Sequence, residues 1–111
     1  MKQISKKKAA RNRSYKAVCE EILQEREKIC QGCGTADRLS FSHLEPRSFS
    51  IVNEANKAMI HIHCMTFGGF EGCHDKYEQH RFSELKDGDE IMEALIEYAP
   101  DYLRIIENKI T

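Results

Sequence analysis

Cys30-Gln31-Gly32-Cys33 and Cys64-Met65-Thr66-Phe67-Gly68-Gly69-Phe70-Glu71-Gly72-Cys73-His74 are the stretches that decide the fold. Two cysteines separated by two residues let two thiolates of one turn grip a single ion, and Gly32 and Gly34 permit the tight turn this requires. The second pair is wider, with eight residues between Cys64 and Cys73. That loop closes on the same ion if Cys64 ends a strand and Cys73 begins a helix. Thiolates select soft metals, zinc first among them. The spacing therefore predicts a structural Zn²⁺ held by Cys30, Cys33, Cys64 and Cys73, with His63 or His74 as alternatives to one of the cysteines. Cys19, the fifth, lies among Ala17, Val18, Ile22 and Leu23 and reads as a small buried apolar residue.

A chain of 111 residues has room for one domain. Its middle, residues 30–57, carries few large hydrophobes and several Gly, Ser, Asn and Asp. A core that thin calls for a staple, and a structural zinc supplies folding free energy on the order of 10 kcal/mol. No apolar run approaches the roughly eighteen residues that a membrane span needs. Met1-Lys2-Gln3 leads into lysines rather than a secretory segment. The expected location is the cytoplasm, where paired cysteines are metal ligands more often than disulfides.

Net charge is −1, but it is unevenly spread. The first sixteen residues hold Lys2, Lys6, Lys7, Lys8, Arg11, Arg13 and Lys16 and no acid, leaving ten bases against eighteen acids in the rest. Such an arm is either a solvated terminus or a segment that seeks a polyanion. Residues 1–13 are expected as a basic, disordered arm, and 14–111 as a single zinc-stabilised domain with its core at 30–82.

A helix is predicted over 14–28, with Ser14 as N-cap and Tyr15, Val18, Ile22, Leu23 and Arg26 at helical spacing. Residues 38–43 alternate, Leu39, Phe41 and His43 on one face and Ser40 and Ser42 on the other, which predicts a strand. Pro46 ends it, and 44–57 reads as a loop with a short helical piece near Val52–Lys57. Ala58–His63 is a second strand, with Ile60 and Ile62 opposite His61 and His63. A helix follows from Cys73 to Phe82. Asp89 is expected to cap another that runs to Tyr98 with a stripe of Ile91, Met92, Leu95 and Ile96. Pro100-Asp101 starts the last, carrying Tyr102, Leu103, Ile105, Ile106 and Ile110. His61, His63 and His80 are expected at exposed positions.

Ser42-His43-Leu44-Glu45-Pro46-Arg47-Ser48, followed by asparagines and then Cys73-His74, resembles the HNH endonucleases of the His-Me finger group, particularly small phage-like members. The resemblance covers residues 30–82. It implies an α+β fold: a small ββα-metal core with a structural zinc knuckle, flanked here by an N-terminal helix and two C-terminal helices. It also implies DNA as the partner, Mg²⁺ or Mn²⁺ as the catalytic ion, and the cytoplasm of a bacterium or a phage-infected host. By position, His43 matches the general base that deprotonates the attacking water, a task suited to an imidazole that titrates near neutrality. His74 matches the histidine that holds the ion. Asn56, or failing it Asn53, matches the asparagine that braces the base. Arg47 has the forked guanidinium that suits a phosphate, and equally suits an ordinary surface position.

The chain departs from that pattern at Ser42, where many members place an Asp or His that binds the ion. A hydroxyl is a weaker ligand, which leaves Asn56, Asp75 and Glu78 as candidates for the second one. The same departure supports the alternative of a zinc-containing module that binds nucleic acid without cutting it. A third possibility is an adaptor that docks a protein through the C-terminal helices.

Overall fold

The alternation in the sequence is realised as two antiparallel strands, β1 (Leu39–His43) and β2 (Ile60–Cys64), with Phe41 opposite Ile62 and His43 opposite Ile60. The computed structural model describes residues 6–110. Four helices surround the pair: α1 (Lys6–Glu25), α2 (Cys73–Glu78), α3 (Gly88–Tyr98) and α4 (Pro100–Ile110). The class is α+β, helices packed on one small sheet. None of the described helices is long and apolar enough to cross a membrane.

The two faces of the sheet are buried differently. Ile60 and Ile62 pack with Ile22 of α1, and Tyr15, Val18, Leu39 and Phe41 close round them. Behind the other face lies the larger core, where Leu44, Met59 and Tyr77 meet Leu85, Ile91, Leu95, Leu103 and Ile106 of the C-terminal half. The Tyr77 hydroxyl donates to the backbone oxygen of Leu44, tying α2 to the chain leaving β1. Cys19 is buried on α1, as its apolar neighbours predict.

Several boundaries differ from expectation. The first helix begins at Lys6, not Ser14, so residues 6–13 of the expected disordered arm are helical; the arm's first five residues lie outside the described ones. Lys, Ala and Arg are good helix formers and need no cap at Ser14 to continue the turn. Arg11 in this segment is anchored to Glu54 by a guanidinium–carboxylate pair at 2.8 Å. The helical piece before β2 is a single 3-10 turn at Lys57–Met59, capped by the side chain of Asn56. The second strand accordingly starts at Ile60 and includes Cys64. The helix after Cys73 stops at Glu78, short of Phe82, and the chain reverses through His80 at a φ of 60°. The cap of α3 is Asp87 rather than Asp89. Of the expected stripe, Ile91 and Leu95 are buried, while Ile96 is 61% exposed and Ala94 takes the inner place. On α4, Leu103 and Ile106 are buried and Ile105 faces outward.

Arg26, just past α1, stitches that helix to the sheet. Its guanidinium donates to the Ile60 carbonyl at 2.7 Å, the Lys57 carbonyl at 2.8 Å and the Gln31 side chain at 3.0 Å. Truncation leaves those acceptors without their charged donor, a loss of about 2 kcal/mol. Arg26→Ala should therefore lower the midpoint of denaturant unfolding by that amount without changing the slope. An unchanged midpoint contradicts the stitch.

Candidate metal centre and histidine cleft

The sulfur atoms of Cys30, Cys33, Cys64 and Cys73 all lie within 4.8 Å of one another. Cys33 Sγ and Cys64 Sγ are 3.7 Å apart, close to the ligand–ligand distance on a tetrahedral ion with bonds of about 2.3 Å. All four cysteines are free of disulfides. The loop between Cys64 and Cys73 closes as expected, Cys64 ending β2 and Cys73 opening α2. Backbone N–H groups of Cys64 and Cys73 point at the Cys30 and Cys64 sulfurs, each at 3.3 Å, an arrangement that favours thiolate. Gly32 is required here, since a Cβ on it would stand 2.8 Å from Cys73 Sγ.

Burial raises the thiols of Cys64 and Cys73, and the neighbouring cysteines raise Cys73 further. At Cys33 burial acts the same way, but the Thr35 backbone and the other cysteines outweigh it and the thiol is lowered. Thiols crowded this way ionise together only around a cation. The donor set fits a metal ion. His63 and His74 are engaged elsewhere and stay outside the sulfur set.

A cleft of ≈ 520 Å³ opens beside this centre, lined by His43, Arg47, His74, Tyr77, Glu78 and Tyr102 among others. The end of β1 delivers His43 and the first turn of α2 delivers His74, so the two imidazoles predicted from sequence share one cavity. His43 Nε2 is buried with no hydrogen-bond partner. Its ring bonds instead to the backbone oxygen of Glu54, which places the proton on Nδ1 and leaves Nε2 with a lone pair. Burial, and then Arg47, lower the His43 pKa against the opposing pull of Glu54, so the ring is neutral at neutral pH. Tyr15 lies against His43 at a centroid distance of 4.9 Å, and the Arg47 guanidinium sits over Tyr15 at 5.2 Å.

Asn56 does not touch His43 through any of these bonds. Its side chain accepts from Ala58 N at 3.1 Å and donates to Asn53 Oδ1 at 3.2 Å. Asn53 in turn donates to Glu45 and to the Tyr98 carbonyl. Both asparagines shape the loop that presents the Glu54 carbonyl.

The residues that sequence reasoning missed are His61, His63 and Asp87. Expected at the surface, His61 is 5% and His63 0% exposed. Both point at Asp87 Oδ2, at 2.7 and 2.8 Å. Burial alone would raise the Asp87 carboxyl, but the two imidazoles outweigh it and hold the group well below the usual carboxylate range. That engagement explains why Asp87 precedes α3 without capping it by its side chain. The three could be grouped as metal ligands by proximity. Their contacts, however, are hydrogen-bond lengths that converge on one shared carboxylate oxygen. His61 lines a second cleft of ≈ 440 Å³ with Arg26, Gln31 and Glu90. The only signal in the sequence was the alternation that put both histidines on one face of β2.

Protein-family models, curated proteins and solved structures were compared with this chain, and none matches it.

Stripping the metal with a strong chelator should abolish cooperative unfolding of residues 30–75 and lower the melting temperature sharply, as read by circular dichroism and hydrogen exchange. A melting curve unmoved by the chelator shows that the sulfur cluster is not a structural metal site.

Proposed function

We propose that this chain is an HNH-type endonuclease that hydrolyses DNA phosphodiesters with one divalent ion, and that its sulfur cluster holds zinc. The observation that carries the reading is His43, a neutral imidazole with an unpartnered, buried Nε2, on a residue that lines the same cleft as His74 and Arg47. A strand–loop–strand–helix order runs through residues 39–78, matching the resemblance that the motif suggested. Zinc follows from the all-sulfur donor set, which excludes hard ions such as Mg²⁺.

In this reading His43 Nε2 takes a proton from water. The water oxygen bonds to phosphorus as the bond from phosphorus to the 3′ oxygen breaks. The Glu54 carbonyl keeps the His43 proton on Nδ1, so the base always offers the same nitrogen. Glu54 is itself pinned by Arg11, and Asn56 and Asn53 hold the surrounding loop. His74 would hold the Mg²⁺ or Mn²⁺ that offsets charge on the phosphate and the departing oxygen. Arg47, exposed at the rim, is placed to contact a backbone phosphate. Such contacts position the duplex without reading its sequence.

One observation favours the non-cleaving alternative: His43 Nε2 is closed off from solvent, so water must be admitted to it before it acts as a base. Plasmid incubated with Mg²⁺ or Mn²⁺ separates the two readings. The enzyme nicks it, and His43→Ala removes nicking by at least about 100-fold, the contribution of a positioned base, while DNA affinity is kept. Supercoiled plasmid that persists with every divalent ion, alongside salt-dependent DNA binding, selects the binding module.

The lowered pKa of His43 sets the pH profile. A base acts when unprotonated, so activity should rise with pH and reach half its plateau below the free imidazole value of about 6.5. A midpoint above that value is inconsistent with His43, under the field of Arg47 and the shelter of Tyr15, as the base.

A further inference from the structure

We propose that the loop between Cys64 and Cys73 is a stacking platform for unpaired nucleobases, so that the substrate is DNA with a single-stranded stretch beside the cut. The choice of DNA rests on the nuclease reading, while the platform itself lies on residues outside the cleft.

Phe67-Gly68-Gly69-Phe70 is a reverse turn closed on itself, the N–H of each phenylalanine donating to the carbonyl of the other at 3.0 Å. Gly68 takes a φ of 58°, in the left-handed region. The stem is pinned as well. Thr66 Oγ1 accepts from Gly72 N at 2.9 Å and donates to Asp75. Gly72 lies so close to the Cys64 carbonyl that a Cβ on it would collide. The tip is therefore set in place, yet Phe67 is 66% and Phe70 47% exposed. Two aromatic rings held together in water on one fixed turn mark a contact surface.

Arg38 decides the kind of partner. It precedes β1 with a φ of 53°, a conformation that favours glycine. Its guanidinium lies 5.3 Å from the centroid of the Phe67 ring and 5.5 Å from that of Phe70. The acids beside the loop are engaged elsewhere, Asp75 with Thr66 and Glu71 with Arg81 at 2.7 Å. Among the described residues no carboxylate forms an ion pair with Arg38. An unneutralised fork of N–H donors beside two π faces matches a nucleotide: the phosphate takes the guanidinium and the base stacks on a ring. An apolar protein surface would instead desolvate that cation without a counter-charge. The base must be unpaired, because a duplex covers both faces of each base and offers only edges. Gly69 fits the same reading. Its φ is not positive and a Cβ there meets nothing within 4 Å, so the fold itself does not require glycine. A bare backbone between the rings leaves room for a ligand to come close.

The platform is within reach of the cleft. The loop runs straight into α2, whose first turn carries His74. Arg38 stands just before β1 and His43 ends it, a span of about 17 Å at roughly 3.4 Å per residue. That is about five steps of a stacked strand at roughly 3.4 Å each. A strand cut in the cleft thus lays bases a few nucleotides from the cut on these rings.

The full chain, purified with its metal and with no divalent ion added, is titrated into a labelled oligothymidylate of about twenty nucleotides, or into a blunt duplex of that length, and followed by fluorescence anisotropy. The oligothymidylate should bind more tightly than the duplex. Both rings are exposed, so Phe67→Ala and Phe70→Ala should melt like the parent. Each should weaken single-strand binding at least about fivefold and leave duplex affinity within about twofold. Phe67→Leu keeps apolar area but has no π face, and should behave like Phe67→Ala. The chain contains no tryptophan, so Phe67→Trp supplies a lone fluorophore that should keep the affinity and be quenched as a base stacks on it. Arg38→Gln should flatten the salt dependence of single-strand binding by about one phosphate contact, a slope change of about 0.7. Single-strand affinity unchanged in both alanine variants, an unquenched Phe67→Trp, or an equal loss for duplex and single strand overturns the platform even if plasmid is cut. So does a parent that self-associates while the alanine variants are monomeric. Single-strand binding through both rings with no plasmid cutting upholds the platform and removes the nuclease reading instead.

Discussion

Four sulfur atoms brought together from a turn, a strand end and a helix start are the constraint on which the rest of the molecule depends. The segments that carry them have little else in common. Cys30 and Cys33 sit in a turn after α1, Cys64 ends β2 and Cys73 begins α2. The sheet has only two strands, and a lone hairpin is marginal in water. An ion at the sulfurs fixes the end of β2 against α2. That fixes where His74 emerges relative to β1, and therefore relative to His43. The same logic assigns Gly32, which lets the turn approach the Cys73 sulfur without collision.

The sheet then separates two environments. Its apolar face packs on α1 through Ile60, Ile62 and Ile22. Its polar face carries Ser42, His61 and His63 into the interior, where the Asp87 carboxylate meets both imidazoles. These bonds hold the side chains in one arrangement, while the other oxygen of the same carboxylate, Asp87 Oδ1, is buried without a partner. Here the network reaches the cleft through Ser42 and His74. The large apolar core of α3 and α4 supports it by carrying Asp87 to the place where the histidines need it. The C-terminal helices are therefore linked to the cleft by this carboxylate as well as by packing.

The strands and the sulfur cluster were legible because their signals are local and periodic. Alternation of Leu39, Phe41 and His43 against Ser40 and Ser42 states which residues share a face, and cysteine spacing states which residues share an ion. Local pattern also placed His43 and His74 in one cleft, through the elements on which they ride. It failed where a partner comes from far along the chain. Nothing near His63 announces Asp87, 24 residues away, so polar residues on a strand were read as solvent-facing. Likewise Ser14 looked like a helix start, but the residues before it are themselves helix formers, and Arg11 finds Glu54 across 43 residues. The brace on His43 came from a backbone carbonyl, which no side-chain motif reveals.

The account turns on which atoms would hold a metal at the sulfur cluster. X-ray absorption at the zinc edge of the purified protein measures this directly. Four sulfur scatterers at about 2.3 Å and no nitrogen are predicted. A spectrum showing imidazole in the shell, with His63 or His74 drafted in for a cysteine, would contradict the arrangement from which the cleft chemistry was argued.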